Sequence, residues 1–171
     1  MAIETRKDVF QTKKLAMNKS QVTLLGLLIL LIVGCDTERV YESDYNFEGQ
    51  SWHMDTIPSF EFTIDEVANN DVLLKIRNSL DFPFRNCYMT YYLEDTAGNV
   101  LSSDLVNFKL FDETTGKPFG KGNTVFQHSE TILSGYDFPA SGTYRLRIAQ
   151  YMRKTTLGGA YSIGVRIEVS N

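Results

Sequence analysis

The two cysteines are the residues of this chain best placed for covalent chemistry, and their settings differ. Cys35 ends the apolar run "LLGLLILLIVGCD" and is followed at once by the polar, acidic "TERVYESDYNFEGQ". Cys87 sits inside "NCYMTYYL" with no base beside it, and reads as a small buried apolar side chain. The histidines offer less. A metal site wants ligands at close spacing, and neither His53 in "SWHMD" nor His128 in "FQHSE" has a second histidine nearby. His53, two residues before Asp55, reads as a surface histidine near a strand end. There is no Gly-x-Ser-x-Gly elbow, P-loop or nucleotide fingerprint. "GKPFGKGN", with Lys117 and Lys121, lacks the Lys-Ser/Thr ending and following helix of a phosphate cradle, and reads as a hairpin loop. Carboxylates for glycoside cleavage are plentiful, but no pair stands out. The sequence points to no catalytic residue, no metal site and no cofactor.

Lys13, Lys14 and Lys19 precede an apolar stretch from Val22 to Val33. About a dozen residues fall short of the roughly 20 that span a bilayer. Ile32-Val33-Gly34-Cys35 looks like a bacterial lipobox: two aliphatics, a small residue and the required cysteine. That likeness implies a diacylglycerol on the Cys35 thiol, cleavage after Gly34 and acylation of the new amine. One acyl chain anchors only marginally, whereas several hold a domain at a membrane. Residues 1–34 then form a signal peptide and residues 35–50 a lipidated tether. Two readings of residues 1–16 are open: a long basic leader, or sequence upstream of a true start at Met17. With Cys35 lipidated, Cys87 stands alone and no internal disulfide can form. The destination membrane, inner or outer, is left open, because Asp36 after the cysteine signals inner-membrane retention only in some bacteria.

Residues 1–34 hold five basic and two acidic side chains of the 17 and 21 in the chain, so the rest carries 12 against 19, a net of −7. So acidic a body excludes nucleic acid as a partner. From Phe60 onward the hydrophobic period is two. "FEFTI", "VLLKIR", "CYMTYYL", "YRLRIAQ" and "IGVRIEV" each alternate, as half-buried antiparallel strands do. Val72, Leu74 and Ile76 point inward against Lys75 and Arg77; Ile163, Val165, Ile167 and Val169 point inward against Arg166 and Glu168. "VLSSDLVNFKLF" and "VFQHSETIL" add two less regular strands, with turn signals between the runs. The expected fold over residues 51–171 is all-β, an antiparallel, immunoglobulin-like β-sandwich of about seven to eight strands. Tyr144 in "SGTYRLRI" is the candidate for a tyrosine corner. The tether could reach roughly 50 Å if extended, although Tyr41, Tyr45 and Phe47 would let part of it pack on the sandwich.

Arg145, Arg147 and Arg166, with Lys75 and Arg77 near them, are expected to cluster on one solvent-facing sheet surface. Such a cluster either docks an acidic partner or anionic glycan, or guards the sheet against aggregation. Tyr88 and Tyr92 either stack on sugars, anchor a protein interface, or simply cover the sheet. Trp52 is a third candidate stacking platform.

Several stretches together resemble the gliding-motility lipoprotein GldH family. They are the cysteine with "RVYESDYNF", the lone tryptophan in "QSWHMD", "FEFTI", "LLKIRNSLDFPFRNCYMTYYL" and the "LFDETTGKPFGKGN" loop. The terminal block is the most specific: Gln150 to Arg153, then Leu157-Gly158, then Ile163 to Glu168. Pro118-Phe119 departs from the family, which usually carries an aromatic after the loop's Gly-Lys. The resemblance implies a non-enzymatic component of a cell-surface gliding apparatus coupled to outer-membrane protein secretion. Its partners would be the membrane, through Cys35, and other gliding or secretion proteins of the envelope. Only Cys35 carries over as a functional residue; Arg153 and Arg166 match motif positions without a role. A lipid-anchored carbohydrate-binding module is the alternative.

Overall fold

The computed structural model describes residues 38–170. Cys35, Ile32, Val33, Gly34 and the leader lie outside the described residues. The alternating runs become strands because each offers one apolar face to bury and one polar face to solvate. In chain order they are β1 (Arg39–Asn46), β2 (Ser51–His53), β3 (Ser59–Ile64), β4 (Asn69–Ser79) and β5 (Asn86–Asp95). They continue with β6 (Val100–Lys109), β7 (Val125–Asp137), β8 (Gly142–Gln150), β9 (Thr156–Gly158) and β10 (Ala160–Val169).

Two four-stranded antiparallel sheets, β1-β10-β4-β7 and β3-β8-β5-β6, form the layers, and β2-β9 is a separate short ladder. Among the eight strands of the two sheets the pairing is nested. The outermost in sequence pair with each other (β1·β10), then β3·β8, β4·β7 and β5·β6. A long hairpin rolled over on itself gives this order, which is a jelly roll's. The antiparallel sandwich expected from the alternation is present, with jelly-roll rather than immunoglobulin connectivity and with ten strands among the described residues. The extra ones are β1, β2 and β9.

β1 takes up part of the segment read as a tether, as Tyr41, Tyr45 and Phe47 allowed. Residues 35–50 were expected to space the domain from the bilayer, yet from Arg39 the chain pairs with β10, Tyr41 opposite Ile167 and Tyr45 opposite Ile163. Residues 116–123, read as a hairpin loop, lie in a crossover between sheets, since β6 and β7 belong to different layers.

The core lies between the layers. Val72, Leu74, Ile76, Ile163, Val165 and Ile167 come from one sheet; Phe60, Phe62, Met89, Leu93, Leu146 and Ile148 come from the other, and all are buried. Each such side chain contributes about 1.5–3 kcal/mol on burial. Val169 departs from the expected inward set: it is 40% exposed, at the last residue of β10. Tyr144 does form a corner, its hydroxyl donating to the Ala140 carbonyl at 2.6 Å and accepting from the Ala140 amide at 3.2 Å. At the opposite end, Trp52 of β2 stacks on Phe47 with ring centroids 4.9 Å apart and donates through Nε1 to the Thr56 carbonyl at 2.8 Å.

Candidate functional site

The expected basic patch separates into two. Arg145 and Arg147 project from β8, whereas Arg166 projects from β10 and Lys75 and Arg77 from β4, in the other sheet. The sandwich therefore puts them on opposite outer faces. Carboxylates also meet most of these cations. Arg147 Nε donates to Glu94 Oε1 at 3.0 Å, and Arg145 lies 3.8 Å from Glu61. Arg166 Nε donates to Glu168 Oε2 at 2.6 Å, and its Nη1 reaches Glu42 Oε2 at 3.3 Å.

Lys75 was expected outward and solvated, and it is buried instead. Its Nζ lies 2.6 Å from Glu42 Oε1 and 3.2 Å from Asp44 Oδ1, both on β1. To get there the side chain crosses β10 at Gly164. A Cβ at that position would stand 2.0 Å from Asp44 Oδ1 and 2.8 Å from Lys75 Cε. The Lys75 hydrogen bond holds the Glu42 carboxyl below its ordinary range. This cluster ties β1 to β4 across β10 and leaves no charge free for a ligand.

The aromatic candidates also divide. Trp52 is fully buried and is no platform. Tyr92 is covered by Arg147, whose guanidinium carbon sits 5.4 Å from the ring centroid. Tyr88 is exposed, on the outer face of β5. It opens onto a cleft of about 730 Å³ whose lining includes Phe84, Leu105, Tyr151, Met152, Arg153 and Lys154. Of these residues the sequence reading singled out only Tyr88 and Arg153, and Arg153 without a role. Tyr151 was missed because it lies in the loop after β8, where alternation gives no signal.

Three further groups are settled by burial. Cys87 is buried, and desolvation pushes its thiol up to about 12, so it is inert as a nucleophile. His53 is half-exposed, its Nδ1 accepting from the Asp55 amide at 3.3 Å. His128 is buried on β7 with Nε2 unpartnered among the described residues, and burial lowers its pKa. A Cβ on Gly120 would lie 2.7 Å from that nitrogen. No group of three metal-ligating side chains gathers among the described residues.

A face-paired, cleft-bearing sandwich behind a lipobox-like leader is a scaffold that many proteins could share; sequence comparison decides among them. The model of the GldH lipoprotein family matches residues 39–167, from the first strand to the last. The chain belongs to the GldH lipoprotein family. A gliding motility lipoprotein GldH homolog of Christiangramia forsetii is 30% identical over 152 residues, covering 84% of this chain and 91% of the relative. A GldH lipoprotein is by its class anchored to a membrane of the cell envelope. Among solved structures, infectious bursal virus-derived T=1 particles give a TM-score of 0.42 at 17% identity, over 79% of this chain and 32% of that one. A family GH115 4-O-methyl-α-glucuronidase gives 0.42 at 12% identity, over 80% and 18%. This chain spans a third or less of either structure, and likeness at that level carries no argument about function.

Proposed function

We propose that this GldH-family protein is a non-enzymatic accessory component of the gliding-motility machinery, held at a membrane by lipid on Cys35 and acting through contacts with other envelope proteins. The observation that carries this reading is the family match across the whole sandwich. The described residues support it in a second way. The buried thiol of Cys87 and the carboxylate partners of Arg145, Arg147 and Arg166 favour a binding role over chemistry at these residues. The carbohydrate-binding alternative loses two of its three rings, with Trp52 buried and Tyr92 covered by Arg147.

The anchor is tested by feeding cells a labelled fatty acid and fractionating them. Wild type is expected to take up label and sediment with membranes, whereas Cys35→Ala is unlabelled and unprocessed or released. Cys35→Ala that stays in the membrane after washing would show that residues 22–33 are an uncleaved anchor, and that the lipid is dispensable.

A further inference from the structure

The cleft beside Tyr88 is built rather than incidental. The loop that follows β8 is tied down onto β5 by a chain of hydrogen bonds. The Tyr151 amide donates to the Tyr88 carbonyl at 2.7 Å, and the Tyr88 amide donates to Met152 Sδ at 3.1 Å. Gln150, itself buried, uses both ends of its amide on the same loop. Its Oε1 accepts from the Met152 amide at 2.8 Å and its Nε2 donates to the Lys154 carbonyl at 2.8 Å. The backbone that carries Tyr151, Arg153 and Lys154 is therefore fixed before any partner arrives, which lowers the ordering cost of binding.

What it presents is apolar and cationic. Tyr151 is 68% exposed and Leu105 is 47% exposed, and both line this one cleft. Arg153 and Lys154 stand at the rim, exposed, and neither makes an ion pair with a described residue. The cleft lining contains no acid. Two unpaired cations on a body of net −7 are a charge set awaiting its complement. The lining also selects among anionic partners. A sugar needs hydrogen-bonding groups around the ring it stacks on. Here one N–H of the Asn86 amide is taken by Asn107 at 2.6 Å, the charged groups stand only at the rim, and the walls between the two tyrosine rings are Phe84, Leu105 and Met152. Those suit a protein side chain. Leu105 belongs to β6, an edge strand of its sheet, so an extended segment can lie alongside.

We propose that this cleft docks a segment of another envelope protein, one in which an apolar side chain is flanked by carboxylates. The apolar side chain seats on Tyr88, Leu105 and Tyr151, and the carboxylates pair with Arg153 and Lys154. The proposal rests on the reading that the protein works through protein contacts, and it names the partner's chemistry.

The test places a photo-crosslinker in the full lipoprotein in its own cells, as Tyr151→p-benzoylphenylalanine, and sequences the adduct peptide by mass spectrometry. One envelope protein is expected, captured at a segment carrying carboxylates beside an apolar residue. Adding Arg153→Glu with Lys154→Glu should cut the yield about fivefold or more. Arg145→Glu on the same sheet face should not. Both rim side chains are exposed, and an unchanged Tm checks that the double variant folds. An adduct to a second copy of this chain, to polysaccharide or to a segment without acids overturns the proposal. So does the lack of any protein adduct, or a yield indifferent to charge reversal. Scoring gliding in the same strains keeps the two ideas apart. A deletion strain that glides normally removes the motility reading, whatever the crosslinker captures; loss of gliding on deletion with no adduct removes the cleft alone.

Discussion

A lysine pointing out of a β-sheet is ordinarily a solvated lysine, and Lys75 is not, because Gly164 on the neighbouring strand leaves a channel for its stem. Alternation correctly put Lys75 on the outer face; it could not see that two carboxylates on β1 would cover it. The consequence is measurable by urea unfolding. Lys75→Ala takes from Asp44 its described cation partner and from Glu42 the nearest of three, at a nearly buried site (side-chain exposure 8%), and should cost about 2–4 kcal/mol, moderated because both carboxylates keep some water and Glu42 keeps Arg39 and Arg166. Arg145→Ala, whose partner Glu61 is 68% exposed, should cost less than about 0.5 kcal/mol. Equal costs would mean that the Lys75 cluster is no more than a surface pair. His128 gives a pH signature. Burial lowers its pKa in the native state, so the unfolded chain binds the extra proton as pH falls through its ordinary range near 6.5. Stability is therefore fully present above that range and is lost on acidification. The Tm of wild type should fall between about pH 7 and pH 5, and the fall should be smaller in His128→Leu whatever its Tm at neutrality. Parallel profiles would contradict the assignment.

The strands that the sequence made legible are those with two clean faces: β3, β4, β5, β8 and β10 show their apolar residues at a period of two and, Val169 apart, bury them as expected. β1 was hidden because it is an edge strand, where Glu42 and Asp44 dominate the impression and only Tyr41 and Tyr45 hint at pairing. β2 and β9 are three residues each, too short for any periodicity, so the burial of Trp52 behind them was invisible too. Strand order was out of reach for a different reason, since nested and immunoglobulin connectivity use the same alternating runs. β1 nevertheless has to be part of the domain. A chain beginning at Thr37 should fold to a cooperative unit, whereas one beginning at Ser51 leaves Lys75 without its carboxylates and the edge of β10 uncovered. The shorter chain is expected to aggregate or to unfold without a sharp transition. Equal Tm values for the two would show that β1 is only an appendage.

At the scale of the molecule the two ends of the sandwich differ. Where the chain enters at Glu38, the loops and strand ends carry Asp65, Glu66, Asp71, Asp95 and Asp137. The cleft with Arg153 and Lys154 sits at the other end, about 30 Å away along strands of ten residues. If lipid sits on Cys35, at most about 14 Å of chain separates it from β1, far less than the roughly 50 Å expected of a tether running to residue 50. A short leash, an acidic end beside it and a cationic, apolar cleft at the far end are the layout that the proposed partner-binding role calls for. The measurement that tests this account most directly is single-cell gliding on glass in a deletion strain, complemented with wild type or with Cys35→Ala. The account predicts that movement is lost on deletion and restored by wild type alone. Normal gliding in the deletion strain would contradict it, and would leave family membership as a statement about fold.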